Sequence, residues 1–354
     1  MVSIATNTPR ANVGILGIGA YRPERLITND ELCQTLDSTD EWIYDRSGIR
    51  ARRWISGEET NESIAVAAGE RAIINSGIDR EKIGAVVMTT STWPHIVPHG
   101  APTIAYDLGI NGVPAFDLVA GCGGFCYGLG VVADMIRAGT AEYVLLIGVE
   151  TMSAGLDPTS RSTAFLFGDG AGAVVVGPTE ENGISPTVWG SDGENAMAIA
   201  QTSSIIEYMD RAEAMQGVDP AVEKVGRMTL TMEGQRVFRW AAITLPKALT
   251  SALELAGLHN DDVEVFIPHQ ANGRINDLIK KNLGLPEEVP VANDIEFTGN
   301  TSAASIPLAM EEMLATGKAK GGQTALLLGF GAGLSYAAQV VTLPPAPTEV
   351  SLRD

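Results

Sequence analysis

AFDLVAGCGGFCYGLG, residues 115–130, is the stretch on which the reading of this chain turns. Ala115 to Ala120 is an apolar run that reads as a short buried strand. It meets Gly121-Cys122-Gly123-Gly124, and the apolar spacing from Phe125 to Arg137 is helical. The pattern places Cys122 on a tight strand-to-helix turn, at or near a helix N-terminus. The glycines there tolerate unusual dihedrals and close approach of a ligand. Helix-end N–H groups favour a thiolate over a thiol. This is the setting in which a fold activates a cysteine nucleophile. A lone cysteine beside a Gly-rich turn is more often a buried structural residue, so the reading depends on what else the chain supplies.

Composition narrows the classes. A chain of 354 residues with 45% hydrophobic side chains and 39 glycines suits a large compact α/β enzyme, as one big domain or two similar ones. No apolar run approaches a membrane span. Met1 to Arg10 lacks the basic and apolar regions of a secretory signal. Three cysteines (Cys33, Cys122, Cys126) give neither a disulfide framework nor zinc spacing, which fits a reducing cytoplasm. A net charge of −19 argues against nucleic-acid binding and makes any basic cluster informative.

Upstream, Val13 to Ala20 is strand-like but carries GxxGxG rather than GxGxxG, so it does not read as a dinucleotide site. Thr28 to Glu31 has the composition of a helix start. Four arginines fall between Arg46 and Arg53, close to Trp42. They are either a solvated basic turn or a site for a phosphate-bearing ligand with Trp42 as a stacking face. Glu59 to Ser76 reads as a helix, Ile83 to Thr90 and Tyr143 to Val149 as buried strands, and Phe165 to Gly177 as a Gly-punctuated strand pair. The polar stretch from Ala196 to Lys224 reads as an insertion of loops and short helices over the site.

The second half echoes the first. Asn75-Ser-Gly-Ile-Asp before Ile83-Gly-Ala-Val-Val resembles Ala256-Gly-Leu-His before Val263-Glu-Val-Phe-Ile. Met135-Ile-Arg-Ala-Gly139 before Tyr143 resembles Met313-Leu-Ala-Thr-Gly317 before Ala325. A duplication of two α/β halves is expected, 1–177 and 178–354, joined roughly between Gly177 and Gly234. The second half adds His269 in IPHQAN, just after an apolar strand, Asn300 in GNTSAAS, and the GFGAG turn of Gly329 to Gly333. Taken singly, His269 suits a structural role and Asn300 a helix cap. Together with Cys122 they all follow strands, and in α/β sheets the ligand crevice lies beyond strand C-termini. A Cys-His-Asn set is a route to acyl transfer.

With these stretches assembled, the chain resembles the β-ketoacyl-[acyl-carrier-protein] synthase III family of the thiolase-like superfamily, from about Val13 to Val341. The resemblance rests on DEWIYDRSGIR (Asp40 to Arg50), AFDLVAGCGGF, FGDGAGA (Phe167 to Ala173), IPHQAN, GNTSAAS and GFGAG. YRPERLITNDELC and RINDLIKKNLGL are similar to actinobacterial members. The resemblance implies a five-layered αβαβα fold and a homodimer. It implies Cys122 as the acylated nucleophile, and His269 and Asn300 as the pair that decarboxylates malonyl-acyl carrier protein (malonyl-ACP). Backbone N–H groups of Cys122 and Ala332 would form the oxyanion hole. Trp42 and Arg161 would sandwich the adenine of coenzyme A, with Arg46 and Asn272 as further contacts. Gln270, Ala271, Asn272, Gly273 and Arg274, with Arg239, Lys280 and Lys281, would form the carrier-protein docking surface. Val97, acting from the partner subunit, and Phe167 would bound the acyl pocket. No metal or cofactor is implied, since acyl-CoA is a substrate.

The chain departs from the family pattern at Ala332, where many members have glycine, and at Cys126, a second cysteine read as structural. The loop from Trp93 to Pro98 is one residue longer than in enterobacterial members. The expected reaction is a ping-pong condensation of acyl-CoA with malonyl-ACP to 3-oxoacyl-ACP. A priming enzyme of polyketide assembly is the main alternative; a cysteine hydrolase and an inactive scaffold are the others. Acyl chain length is left open.

Overall fold

The computed structural model describes residues 12–215 and 227–351. Met1 to Arg10 and the 216–224 part of the polar stretch lie outside the described residues. Nine strands form two sheets. The first runs β1 (Val13–Tyr21), β5 (Asp169–Pro178), β4 (Tyr143–Thr151), β2 (Ile83–Thr89) and β3 (Ala115–Leu118), in that spatial order. The second runs β7 (Val265–Pro268), β8 (Thr324–Gly331), β9 (Ser335–Thr342) and β6 (Val188–Ser191).

The two sheets repeat one pairing scheme. The β2–β4 pair is parallel and β4–β5 and β5–β1 are antiparallel. Likewise β7–β8 is parallel and β8–β9 and β9–β6 are antiparallel. The counterpart of β3 has shrunk to a single parallel bridge, Phe266 to Val291. Helices recur in step: α1 (Asn61–Ser76), α2 (Gly100–Asp107) and α3 (Gly124–Arg137) match α4 (Gly234–Ala256), α5 (Gly273–Leu283) and α6 (Ser305–Ala315).

Period-two alternation along the strands sorts side chains into separate cores. Val144 and Leu146 of β4 join Val174 and Val176 of β5 in the central core, which also holds Ala325 and Leu327 of β8. That core is filled by α3 and α6, through residues such as Phe125, Leu129, Val132, Ile306 and Met310. The alternate residues Leu145, Ile147 and Val175 face α1 and α2, and Leu326, Leu328 and Phe330 face α4 and α5. The layers are therefore helix, sheet, helix, sheet, helix. Strands covered on both faces read as continuous apolar runs, which is how they appear in the sequence.

The glycines of β1 serve packing. A Cβ on Gly17 would lie 2.3 Å from Ser76 N, and one on Gly19 would lie 2.3 Å from Ala72 N. They let α1 settle directly on the strand. Thr60 caps α1 with a capping box to Ser63.

Three sequence expectations need correction. Phe165 to Gly177 is one strand, not a pair. Leu166 O accepts from Asn300 N and Gly168 N donates to Asn300 O, so the 165–167 segment forms turns against the second half and only Asp169 onward is strand. The 115–118 strand is only half-buried, because it is the sheet edge with β2 on one side alone. Around the polar stretch, a two-stranded ladder pairs Ile199–Gln201 with Leu230–Met232, beside a helix Ile205–Ala214. No helix among the described residues is long and apolar enough to cross a membrane.

A buried ion triad fastens the end of β1 to the second half. Arg22 reaches Glu311 at 2.6 Å and Asp294 at 3.2 Å, with Arg22 and Glu311 4% and 0% exposed. Ser351 completes it, donating its N–H to Glu311 and accepting that of Arg22, both at 2.8 Å. Replacing Arg22 by Met leaves two buried carboxylates without their cation. Stability should fall by about 3–5 kcal/mol, read from the denaturant midpoint at unchanged slope; an unmoved midpoint would show that the triad contributes no net stability.

Candidate active site

Cys122 sits on a 3-10 turn, Gly121–Gly123, between β3 and α3. The facing element is the end of β8 with the turn that follows it. Gly331 lies so close that a Cβ there would stand 2.7 Å from the Cβ of Cys122 and 3.0 Å from its Sγ. Any side chain at 331 would displace the thiol. Gly121, at φ +54°, abuts Ala332 in turn. Backbone N–H groups of Ala332 and of Cys122 itself bond the Cys122 sulfur, and so does the Ser302 hydroxyl.

Burial outweighs these donors. It pushes the Cys122 thiol up to about 11, with Ser302 and the two N–H groups pulling down and the charge of Glu150 adding to the rise. Cys122 is half-buried at the cavity wall, and desolvation of its sulfur opposes the thiolate that the helix N-terminus favours. Low dielectric disfavours the charged form more than the turn's N–H groups favour it. Cys126, one helical turn on, is buried without access to the cavity, and burial pushes it up to about 12.

His269 follows β7 directly, 1% exposed, with the Phe330 ring edge-on at 5.2 Å. Its Nδ1 lies 2.6 Å from Ser305 Oγ, which also accepts the Gln270 N–H at 3.3 Å. Nδ1 is the one acceptor in reach of the buried Ser305 hydroxyl among the described hydrogen bonds, so the serine proton goes to Nδ1, and this assigns the imidazole proton to Nε2. Burial pushes His269 down to about 3, so the ring is neutral. Asn300 Oδ1 accepts the Ser302 N–H at 2.8 Å. That contact fixes the amide, leaving Nδ2 as a donor.

Cys122, His269 and Asn300 line one cavity of ≈ 1020 Å³ together with Ser302, Gly331 and Ala332. Toward its mouth stand Trp42, Arg46, Arg161, Asn272, Arg239 and Arg274, and its wall includes Phe167, Ile199, Leu230 and Met232. Trp42 is flanked by two guanidinium groups, Arg161 at 4.9 Å and Arg46 at 5.2 Å from the ring centroid. Asn272 Nδ2 donates to Arg46 O at 3.0 Å, tying α5 to the helix Asp40–Ser47.

Other sequence-derived residues fall elsewhere. Of the four clustered arginines only Arg46 reaches the mouth. Arg50 pairs with Glu296 at 2.8 Å, and Arg53 donates to Pro23 O. Arg52 is fully buried, bonding Ile27 O, Asn29 Oδ1 and Phe165 O. Gln270 is 1% exposed and its amide braces Pro268 O, Ala292 O and Ile295 N, so it cannot form part of a docking surface. Lys280 is spent on Glu287 O and Val289 O, whereas Lys281 is exposed. Ala271 and Gly273 are half-buried at the start of α5. Val97 is 80% exposed and does not line the cavity.

Sequence reasoning missed Ser302, Ser305 and Glu150. The serines lie inside GNTSAAS, so a signal was present. Glu150 looks like the polar end of an apolar strand and carried none. No group of three or more His, Cys, Asp or Glu among the described residues is placed to hold a metal ion.

Comparison with known proteins shows the family. Residues 116–193 match the family model for 3-oxoacyl-[acyl-carrier-protein (ACP)] synthase III, and residues 253–343 match the model for its C-terminal part. The chain is 53% identical over 349 residues to β-ketoacyl-[acyl-carrier-protein] synthase III of Mycobacteroides abscessus, covering 99% of this chain and 100% of that protein. It is 51% identical over 344 residues to the mycobacterial β-ketoacyl-[acyl-carrier-protein] synthase III of Mycobacterium tuberculosis, covering 97% and 99%. Among solved structures it resembles the priming β-ketosynthase of the R1128 polyketide pathway, with TM-score 0.91, 43% identity and 98% and 100% coverage. The synthase III of Aquifex aeolicus gives TM-score 0.83 at 33% identity, covering 94% and 100%. With family models matched in both halves and full-length relatives at 51–53% identity, the chain belongs to the β-ketoacyl-[acyl-carrier-protein] synthase III family.

Proposed function

We propose that this protein condenses an acyl-CoA with malonyl-ACP, giving 3-oxoacyl-ACP, carbon dioxide and coenzyme A, and so initiates fatty-acid synthesis. The observation that carries the reading is one cavity holding a nucleophile from the first half and two oriented donors from the second. The full-length relatives at 51–53% identity bear the synthase III name, against 43% for the polyketide priming enzyme, which favours the fatty-acid role.

In the first half-reaction Cys122 sulfur attacks the acyl-CoA thioester, and the N–H groups of Cys122 and Ala332 hold the oxyanion. The C–S bond to coenzyme A breaks. Malonyl-ACP then enters, and its carboxylate leaves as carbon dioxide. His269 Nε2–H and Asn300 Nδ2–H stabilise the enolate oxygen, and the carbanion attacks acyl-Cys122. Coenzyme A enters past Trp42, its adenine stacking on the ring once Arg161, which stands 4.9 Å from the ring centroid, swings outward to cover the far face, with Arg46 and Asn272 at the rim. The 1–177 half supplies the cysteine and the 178–354 half the two donors. No cofactor is drawn on, and the free thiols suit a cytoplasmic setting.

Two interfaces complete the reading. Exposed Arg239, Arg274 and Lys281 beside the cavity suit an acidic carrier protein. The half-buried edge strand β3, with Val119, Ile96 and Val97 exposed at 74%, 68% and 80%, suits a homodimer in which Val97 ends the other subunit's acyl channel. Phe167 walls the channel from within.

The roles separate by mutation. Cys122→Ala should abolish the acyl-enzyme seen by intact mass, yet still release carbon dioxide from labelled malonyl-ACP. His269→Ala and Asn300→Ala should lower that release by about 10²–10³-fold and retain acylation. Because burial keeps His269 neutral down to about pH 3, release by Cys122→Ala should show no midpoint near 6.5. Loss of acylation in Asn300→Ala with decarboxylation spared would reverse the assignment.

Charge reversal tests the docking face. Arg274→Glu should raise KM for malonyl-ACP, with the difference from wild type fading in salt, and leave acylation by acyl-CoA near wild type; equal loss in both half-reactions would remove Arg274 from the docking surface. Val97→Phe should shift preference toward shorter acyl-CoA, and an unchanged chain-length profile would place the channel end elsewhere.

A further inference from the structure

Glu150, near the end of β4, is fully buried and has only neutral donors around it. Ser91 N–H bonds its two oxygens at 3.1 and 3.2 Å, the Thr92 hydroxyl approaches to 2.6 Å, and the Ser302 hydroxyl to 2.9 Å. The Thr90 hydroxyl lies at 3.4 Å, and Ala303 N–H also contributes. None of the ion pairs among the described residues involves it. The titratable groups near it are Cys122, reached through Ser302, and Asp169, which stands opposite Thr151 on β5 with its carboxylate taken up by Ser153 and Ile55. The other titratable groups lining the cavity are neutral His269 and, toward the mouth, Asp45, Arg46, Arg161, Arg239 and Arg274.

A carboxylate only accepts, so the single Ser302 proton is given to Glu150. Ser302 is also hydrogen-bonded to the Cys122 side chain: with its own proton on Glu150 it accepts from the thiol, and it turns to donate only when the sulfur is a thiolate, the state in which it pulls the thiol down. The resting chain of hydrogen bonds is therefore directed: Cys122 S–H to Ser302 O–H to Glu150. Ser302 is held for this geometry. It is the one non-glycine residue at positive φ among the described residues, at +49°, and its N–H is fixed on Asn300 Oδ1. Backbone strain of this kind persists where the surroundings over-determine it. Meanwhile the thiol needs a base when it attacks. His269 does not supply one, because Nδ1 is engaged by Ser305 and Nε2 carries its proton.

Building on the acyl-transfer reading, we infer that Glu150 accepts the Cys122 proton through the Ser302 hydroxyl during acylation. As the sulfur forms its bond to the thioester carbon, the thiol proton passes to Ser302 Oγ and the serine proton passes to Glu150. Ser302 and the carboxylate thus end as hydroxyl and carboxylic acid. When the tetrahedral adduct collapses, the C–S bond to coenzyme A breaks and the proton returns along the same chain to the leaving sulfur. Atoms and charge balance without a further reactant. Burial holds Glu150 up at about 6, a stronger base than an ordinary carboxylate yet still ionised at neutral pH. Glu150 touches no substrate; it is a positioning and proton-accepting residue that acts through Ser302.

The test is single-turnover acylation by acetyl-CoA and by dodecanoyl-CoA, followed by intact mass from pH 5 to 10. The wild-type rate should rise as pH passes about 6, where Glu150 ionises. Glu150→Gln should be slower by about 10²-fold or more at neutral pH, lack that rise, and recover at alkaline pH as the thiol ionises unaided. Glu150→Asp, which keeps a carboxylate, should retain the rise. Ser302→Ala should behave like Glu150→Gln, and the double variant should be no slower than the singles, since both break one chain. A wild-type rate and profile in Glu150→Gln overturns the inference, as does a uniform loss that leaves the profile's shape intact. If neither acyl-CoA acylates the wild type, it is the acyl-transfer reading that falls.

Discussion

The structure depends on the approach of two turns, one from each half of the duplication. Gly331 packs against Cys122 so closely that no side chain fits between them, and Gly121 packs against Ala332. This contact fixes the sulfur, aims two backbone N–H groups at it, and closes the floor of the cavity. It exists because β3 and β8 end at the same level, and they do so because α3 and α6 fill one shared core between the sheets. Loss of that packing would move the turns apart and dismantle the oxyanion site before any catalytic side chain was touched. The ion triad of Arg22, Glu311 and Asp294 acts at a distance to the same end, holding β1 against α6.

The electrostatics of the cavity divide the chemistry. Burial keeps His269 uncharged, which suits a donor that must be protonated at Nε2 at any working pH. Desolvation also disfavours the Cys122 thiolate, so that attack by the thiol draws on a proton acceptor. The same low dielectric therefore simplifies one half-reaction and complicates the other. Neutral hydroxyls and N–H groups, rather than cations, surround the one carboxylate in reach. Charge is concentrated at the mouth, where Arg46, Arg161, Arg239 and Arg274 stand in a chain whose net charge is −19. An enzyme of this acidity needs such a local reversal to attract polyanionic substrates.

Much of this was legible in the sequence, for physical reasons. Cys122 and His269 each follow an apolar strand, as the sequence suggests, whereas Asn300 follows a short helix, Ile295–Thr298, and is placed by its bridge to Phe167 rather than by a strand end. The duplication showed through repeated helix-end glycines and apolar runs. The rest was hidden because it depends on contacts between distant segments. Arg50, Arg52 and Arg53 have the composition of a phosphate site, yet they hold Glu296, Phe165 O and Pro23 O. Gln270 sits inside a surface-like motif but points into the protein. Phe165 to Phe167 has strand composition, but its hydrogen bonds go to Asn300. The thiol's protonation state reflects a burial that no local pattern reports, and Glu150 matters only because Ser302, 152 positions away, lands on it.

The central claim is that Cys122 carries the acyl group between the two substrates. The direct measurement is a trap and chase. The protein is acylated with an acyl-CoA, the adduct is mapped by peptide mass, and malonyl-ACP is then added. The account predicts one adduct, on Cys122, that disappears with release of one equivalent each of carbon dioxide and 3-oxoacyl-ACP. An adduct on Cys33 or Cys126, or an acyl-Cys122 that decays to free acid without condensation, would contradict it.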